Sequence, residues 1–108
     1  MSYQVLLTDD AATDLFDLHK YISRQDSIES ANYVIDKIET QIAALSAQPN
    51  RGTYPGELSA LGIKEYREIF FKPYRIIYRV VGKKVFVYLV VDGRRDMQSL
   101  LARRLLEA

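Results

Sequence analysis

Two runs of β-branched and aromatic residues constrain the fold of this chain more than any other feature. They occupy positions 75–81 and 85–91 and are separated by Gly82-Lys83-Lys84. Residues of these types favour strands, and a pair that begins with glycine suits a two-residue hairpin loop. The sequence therefore predicts two antiparallel strands joined by a tight turn at Gly82-Lys83.

This turn fixes which side chains share a face of the hairpin, because cross-strand partners point the same way and successive residues alternate. The predicted pairs are Val80–Val85, Tyr78–Val87 and Ile76–Leu89. They form one wholly apolar face, which we expect to be the core. The other face carries Arg75, Ile77 and Arg79 beside Phe86 and Tyr88. It is predicted to be basic and aromatic, and a slip of one residue would break this segregation.

Two further strands are predicted from short apolar runs. Residues 66–72 form a third strand, which Pro73 ends because proline cannot donate a hydrogen bond to a ladder. Residues 3–7 are short and apolar enough for a strand at the start of the chain.

Two amphipathic helices are expected between these strands. The first begins at Thr8-Asp9-Asp10, where a capping side chain and acidic residues favour a helix start, and ends near Arg24. The second begins at Asp26-Ser27-Ile28-Glu29, which resembles a capping box, and runs to Ala47. Their apolar stripes have helical spacing and consist of Ala11, Leu15, Leu18 and Ile22 in the first helix, and Ala31, Val34, Ile35, Ile38, Ile42 and Leu45 in the second. The short loop between them predicts an antiparallel pair.

Residues 48–63 are expected to form a loop, which can include one short helical turn at 57–61. After the strands, Asp92-Gly93-Arg94-Arg95-Asp96 turns the chain, and Asp96 can cap a last helix that bears Met97, Leu100, Leu101 and Leu105. The predicted order is β-α-α-β-β-β-α, an α+β fold with an N-terminal strand, an antiparallel helical hairpin, an antiparallel sheet and a C-terminal helix.

The length of 108 residues predicts a single domain that spans residues 1–108. The chain has no cysteine, which excludes disulfides and thiolate chemistry. The first residues, Met1-Ser2-Tyr3-Gln4, lack the basic and apolar regions expected of a signal sequence, and no apolar run approaches the roughly 20 residues of a membrane helix. We therefore expect a cytoplasmic protein that does not contact a membrane.

Charge is distributed unevenly along the chain. Residues 1–60 hold 4 Lys and Arg against 9 Asp and Glu, whereas residues 61–108 hold 11 against 5. The excess of basic residues in the C-terminal half suggests an anionic partner. Alternatively, the basic and acidic halves could complement each other within the fold.

Few residues have the spacing of a metal site or of a nucleophile. His19 is the single histidine, and we expect it at the surface or in helix packing. Asp9, Asp10, Asp14 and Asp17 are expected to form a solvated helix face. The sequence contains no phosphate-binding glycine loop and no serine elbow. We expect neither a metal nor a cofactor.

The arginines of the C-terminal half are the main candidate for function. Arg67, Arg75 and Arg79 lie on predicted strands, and Arg94 and Arg95 lie in the turn that follows them. Guanidinium groups suit phosphates and carboxylates, and tyrosines on the same face can stack on bases. The alternative is that these arginines pair with Glu65, Glu68, Asp92 and Asp96 and have only a structural role.

Three phrases of the sequence resemble the RelE/ParE family of type II toxin–antitoxin toxins. They are Tyr66-Arg67-Glu68-Ile69, the run from Pro73 to Val80 (PYRIIYRV) and Asp92-Gly93-Arg94-Arg95-Asp96, and the likeness extends over nearly the whole chain. The resemblance implies a growth-inhibiting toxin that a cognate antitoxin neutralises in a hetero-oligomer. ParE-like members poison DNA gyrase, whereas RelE-like members cut mRNA on the ribosome without a metal.

The resemblance also implies roles for single residues. If the protein is an mRNA endoribonuclease, Arg67, Arg75 and Arg95 are its catalytic residues, and they would stabilise the transition-state charge. The expected contacts with the target or antitoxin are Arg75, Arg79, Tyr88, Arg94 and Arg95. RelE-like enzymes commonly carry a catalytic tyrosine where this chain has Leu101, and Ile69 lies near the position of a second lysine. These departures and the long helical pair favour the gyrase-directed branch. Ribosome-dependent mRNA cleavage is the alternative. A protein that only binds antitoxin is a third possibility. Whether the protein is an enzyme is left open.

Overall fold

Three antiparallel strands form the centre of the fold, as the sequence predicts. In the computed structural model, which describes residues 2–106, β2 is Arg67–Phe71, β3 is Tyr74–Val81 and β4 is Lys84–Asp92. Val81 pairs with Lys84, so Gly82 and Lys83 form the predicted two-residue loop. Gly82 has a φ of 60°, a left-handed conformation that glycine adopts without steric cost.

The first strand, β1 (Gln4–Leu7), joins the same sheet. It pairs with β4 in parallel, which gives the strand order β1-β4-β3-β2. The strand itself was expected, but its place beside β4 was not. The helices between β1 and β2 return the chain across one face of the sheet, so the first strand and the last can lie side by side in the same direction.

The register of the hairpin is confirmed near the turn and wrong beyond it. Val80 pairs with Val85 and Tyr78 with Val87, but Ile76 pairs with Val90 instead of Leu89. The cause is a bulge in β4, where Tyr88 has no partner on β3 and Leu89 lies opposite Ile77.

The bulge corrects the prediction that one face of the sheet is apolar and the other basic. Both faces are covered and each has a core. The first core lies under the helical hairpin and includes Ile69, Ile76, Tyr78, Val85, Val87 and Val90. The second core lies on the opposite face and includes Ile77, Leu89, Val91, Leu58, Tyr66, Met97, Leu100 and Leu101. Ile77 and Leu89 are thus fully buried on the face that was expected to be basic.

The helical hairpin consists of α1 (Asp9–Gln25) and α2 (Ile28–Ala43), followed by a 3₁₀ turn at Ala44–Ser46. Thr8 caps α1 as predicted, because its hydroxyl accepts a hydrogen bond from the Ala11 N–H at 3.1 Å. The cap of α2 is one residue later than the predicted capping box, since Ser27 accepts from the Ser30 N–H at 3.0 Å. Between the helices, His19 Nε2 and Asn32 Oδ1 lie 2.7 Å apart.

Two short helices cover the other face of the sheet. α3 is Gly56–Ser59, inside the loop where a helical turn was considered possible. α4 is Met97–Leu101, which Asp96 caps as predicted by accepting from the Ser99 N–H, and a π-helical turn follows at Ala102–Leu106. The α+β order of elements is therefore confirmed.

Tyr78 connects the sheet to the loop before α3. Its side chain is fully buried, and its hydroxyl donates to the Pro49 carbonyl at 2.7 Å and accepts from the Gly52 N–H at 2.9 Å. Gly52 is required here because a Cβ atom at this position would lie 2.7 Å from the Tyr78 hydroxyl and from the Glu68 carbonyl. One phenol therefore holds the loop against the central strand.

We expect Tyr78→Phe to lower the free energy of unfolding by about 2 kcal/mol, because it leaves a buried carbonyl and a buried N–H without partners. Urea denaturation followed by circular dichroism measures the loss. Tyr33→Phe is the matched control, since Tyr33 is 58% exposed, and it should change stability by less than about 0.5 kcal/mol. Equal stability of the two variants would contradict this role of Tyr78.

Candidate functional site

The side chains expected to form one functional surface lie in four places. Arg75 lies on the face of α3 and α4 in an ion-pair cluster, and Arg79 and Tyr88 lie on the same face. Arg67 pairs across the strands with Tyr78 and therefore lies on the opposite face, at the outer edge. Arg94 and Arg95 line a cleft beside α1. The structure does not bring these arginines together, because neighbouring strand positions alternate between the two faces.

Among these candidate arginines, Arg75 makes the most extensive set of ionic contacts in the described chain. Its two terminal nitrogens donate to the two carboxylate oxygens of Glu57 at 2.8 Å each, and Nε donates to Glu68 Oε1 at 2.7 Å. The Arg75 side chain is only 12% exposed, and that of Glu68 is 6% exposed. Arg75 therefore ties α3 to β2 and β3, and it fits the structural alternative for these arginines better than anion recognition.

The electrostatics of this cluster follow from its composition. The bidentate bond from Arg75 lowers the pKa of Glu57, and the bond from Glu57 raises the pKa of Arg75. With two carboxylates around one guanidinium, the cluster has a net negative charge. A phosphate approaching Arg75 would have to displace a carboxylate that is already bound in the best geometry.

Arg75 also contacts the turn after β4. The Gly93 N–H donates to the Pro73 carbonyl at 2.8 Å, and a Cβ at position 93 would lie 2.7 Å from Arg75 Cδ. Only glycine leaves room for the Arg75 side chain at this point. Gly93 and Arg75, which belong to two of the sequence motifs named above, thus pack against each other.

Arg67 contacts the loop before α3, the same loop to which the Tyr78 hydroxyl is hydrogen-bonded. Its Nη1 donates to the Gly52 carbonyl at 2.9 Å, and its guanidinium lies 4.8 Å from the centre of the Tyr54 ring. These contacts attach the outer strand to the loop before α3. Thr53 continues this attachment by bridging Glu68 through backbone hydrogen bonds of 2.7 and 3.1 Å.

Arg79 and Tyr88 form a more open patch near the hairpin turn. Arg79 is paired loosely with Glu65 at 3.6 Å, and both side chains are exposed. The Tyr88 ring meets the Tyr66 ring edge-on at 5.6 Å between centroids. Burial is the main cause that raises the pKa of the Tyr66 phenol. In this part of the predicted basic and aromatic face, Arg79 keeps an exposed side chain, whereas Tyr88 is half-buried.

Arg94 and Arg95 lie at the opposite end of β4 and have different surroundings. Arg94 binds Asp92 through three side-chain contacts of 2.6 to 3.2 Å, and this pairing lowers the pKa of Asp92. The Arg95 side chain makes no hydrogen bond or ion pair within residues 2–106 and is exposed. Both border a cleft of about 400 Å³ between α1 and β4.

Asp14 is a residue whose role the sequence interpretation missed. Asp9, Asp10 and Asp17 are exposed as expected, but the Asp14 side chain is only 13% exposed. Its carboxylate accepts from the Val90 N–H at 3.0 Å and from both terminal nitrogens of Arg104 at 2.9 and 3.2 Å. Its position one helical turn from Leu18 and Ala11, beside the apolar stripe, was the available signal. Its partner Arg104 lies 90 residues away in sequence, so no local pattern links the two.

Two general findings apply to residues 2–106. They contain no group of three or more His, Cys, Asp or Glu side chains arranged to hold a metal ion. None of their helices has the length and apolar character needed to cross a membrane.

Comparison with known proteins adds a consistent set of relatives. The family model described as the ParE toxin of the type II toxin–antitoxin system, parDE, matches residues 5–97. Toxin ParE3 of Caulobacter vibrioides is 24% identical over 101 residues, which cover 94% of this chain and 97% of the relative.

Solved structures share the fold. A chain of the chromosomal ParDE system from P. aeruginosa superposes with a TM-score of 0.71 at 21% identity, covering 84% of this chain and 96% of its own. A chain of the RelBE2 toxin–antitoxin complex from Mycobacterium tuberculosis gives 0.58 at 22% identity, covering 85% and 92%. A mutant of the toxin RelE from E. coli in the free state gives 0.64 at 15% identity, covering 97% and 99%.

The ion pair of Glu57 predicts a pH-dependent contribution to stability. Because Arg75 holds the folded-state pKa of Glu57 below its ordinary value of 4.5, this contribution is present above that value and is lost as the pH falls through the folded-state pKa. Glu57→Gln should therefore destabilise the protein at neutral pH, and the difference from wild type should shrink as the pH falls below 4.5.

Urea denaturation of both proteins across a pH series measures this difference. Glu39→Gln is the control, because Glu39 is exposed on α2 and makes no ion pair within the described residues. A difference between wild type and Glu57→Gln that stays constant at acidic pH would contradict the assignment.

Proposed function

This chain belongs to the ParE toxin family of type II toxin–antitoxin systems, and we propose that it stops growth by poisoning DNA gyrase and that a cognate antitoxin neutralises it. The toxin class follows from the family. The gyrase target and the antitoxin are the proposal, and the resemblance of the sequence to ParE-like toxins motivates both.

The observation that carries the choice of target is the state of Arg75. An mRNA endoribonuclease of the RelE type would use this guanidinium to stabilise negative charge in the transition state. Here each of the three guanidinium nitrogens of Arg75 donates to a carboxylate: Nη1 and Nη2 to Glu57, and Nε to Glu68. A cation that is already paired and mostly buried contributes little to binding a second anion, because releasing it would leave buried carboxylates without a partner.

Two further positions weaken the ribonuclease alternative. Arg67 is engaged by the Gly52 carbonyl and the Tyr54 ring, on the other face of the sheet from Arg75. Leu101 is 1% exposed in the second core, at the position where RelE-like enzymes commonly carry a tyrosine. Of the three residues proposed for catalysis, Arg95 alone has an exposed side chain without a partner in the described chain.

The proposed antitoxin is supported by the solved relatives. The P. aeruginosa structure is of a ParDE toxin–antitoxin system, and the M. tuberculosis structure is of a RelBE2 toxin–antitoxin complex. We infer that this chain forms a hetero-oligomer with its own antitoxin in the cytoplasm. Arg79, Tyr88, Arg94 and Arg95 remain the proposed contacts with the target or the antitoxin, and Arg75 acts by holding α3 and the Gly93 turn in place.

We expect the purified toxin, released from its antitoxin, to inhibit DNA supercoiling by gyrase and to leave mRNA on translating ribosomes intact. A supercoiling assay and a primer-extension assay on ribosome-bound mRNA measure the two activities. Addition of the cognate antitoxin is the control, and it should restore supercoiling.

Cleavage of ribosome-bound mRNA together with unimpaired supercoiling would replace gyrase with the ribosome as the target. Normal growth of cells that express the toxin without an antitoxin would contradict the proposed toxicity itself.

A further inference from the structure

β4 is longer than β1 beside it, so part of its outer edge has no neighbouring strand. Leu7 is the last residue of β1 that pairs with β4, and it lies opposite Val87. The Thr8 N–H donates to the Val87 carbonyl at 3.0 Å, after which the chain enters α1. β4 continues to Asp92. Residues 88–92 therefore lie on an edge that β1 does not reach.

Two side chains occupy this edge instead of a strand. Asp14 Oδ2 accepts from the Val90 N–H at 3.0 Å, and Arg104 Nη2 donates to the Tyr88 carbonyl at 3.1 Å. Arg104 also donates to both carboxylate oxygens of Asp14, at 2.9 and 3.2 Å. A residue of a paired strand likewise offers its neighbour one acceptor and one donor. The pair therefore gives β4 the two hydrogen bonds that one further strand residue would give.

The surroundings of the pair hold it in this position. The Asp14 side chain is 13% exposed and that of Arg104 is 19% exposed, so little water competes for their charge-assisted hydrogen bonds. Leu15, next to Asp14 in α1, lies in the first core. The turn that carries Arg104 directly follows Leu101, which lies in the second core. Each core thus brings one member of the pair to the edge of β4.

An open strand edge is a template for pairing with another chain. The cleft of about 400 Å³ between this edge and α1 is the space into which an added strand would extend. Because the same edge occurs in every copy of the chain and carries both a donor and an acceptor, two freed edges are complementary to each other. A dimer with two-fold symmetry requires such self-complementarity.

We propose that Asp14 and Arg104 form a clasp that closes the edge of β4, and that without the clasp this edge pairs with the β4 edge of a second copy of the chain. The inference goes beyond the proposed function and does not depend on it, because it concerns hydrogen bonds within the monomer. The clasp keeps the edge closed to strand addition without a fifth strand in the sheet.

Amide hydrogen exchange of the full-length protein, followed by NMR, measures whether the edge is closed. In wild type, the Val90 N–H should exchange about as slowly as the Val85 N–H, which lies where β1 covers β4. Asp14→Ala removes the acceptor of the Val90 N–H. At low protein concentration it should speed exchange at Val90 by roughly tenfold or more and leave exchange at Val85 unchanged.

Raising the protein concentration tests the second half of the proposal. Asp14→Ala and Arg104→Met should both form dimers in analytical ultracentrifugation, whereas wild type stays monomeric. In the dimer of Asp14→Ala, exchange at Val90 should become slow again, because the second copy supplies the missing acceptor.

Two control variants make the same changes outside the clasp. Asp17→Ala removes an exposed carboxylate from α1 that makes no hydrogen bond or ion pair within residues 2–106. Arg103→Met removes the exposed arginine next to Arg104. Both should stay monomeric and should exchange at Val90 like wild type.

The wild-type measurement decides the clasp even if a variant does not fold. A Val90 amide that exchanges much faster than that of Val85 in wild type would overturn it, as would wild-type exchange at Val90 in Asp14→Ala. Clasp variants that stay monomeric at every concentration, or dimers in which Val90 still exchanges fast, would overturn the pairing of freed edges. The supercoiling assay tests the proposed function separately, so each can fail without the other.

Discussion

The unpaired residue Tyr88 in β4 decides which side chains lie on each face of the sheet. Without this bulge, strict alternation from Val87 would place Leu89 and Val91 under the helical hairpin and Val90 on the opposite face. With it, Leu89 and Val91 join Ile77 beneath α3 and α4. The second core holds the C-terminal segment in place, so Arg104 can reach the Tyr88 carbonyl and Asp14. One extra residue in a strand thereby decides where the segment around Arg104 packs.

The Arg75 cluster shows how a residue of a recognisable motif can serve the fold. A guanidinium with 12% exposure has lost most of its hydration, and its charge-assisted hydrogen bonds to two carboxylates offset part of that cost. It joins α3 to β2 and β3 and packs against Gly93 at the turn after β4. A nuclease would need the same cation to be available to a phosphate.

The candidate residues form two groups at different places along the hairpin. Arg79 pairs with Phe86 near the turn and the half-buried Tyr88 lies in the middle of β4, whereas Arg94 and Arg95 lie where the strand ends beside α1. The cleft beside α1 is lined by Tyr21 and Tyr74 and by the exposed side chains of Asp17 and Arg95.

The sequence alone determined the local structure of this protein. Alternating residues and the Gly82-Lys83 pair determined the hairpin, helical spacing determined α1 and α2, and Thr8 and Asp96 determined where two helices begin. These features depend on residues a few positions apart, whose hydrogen bonds and periodicity are visible in the chain. The tertiary structure decided the parallel pairing of β1, the bulge at Tyr88 and the partners of the arginines. Glu57 lies 18 residues from Arg75, and Asp14 lies 90 residues from Arg104. From the sequence alone, any acidic residue is a possible partner for either arginine. Packing of the two cores selects these particular pairs by bringing their side chains together.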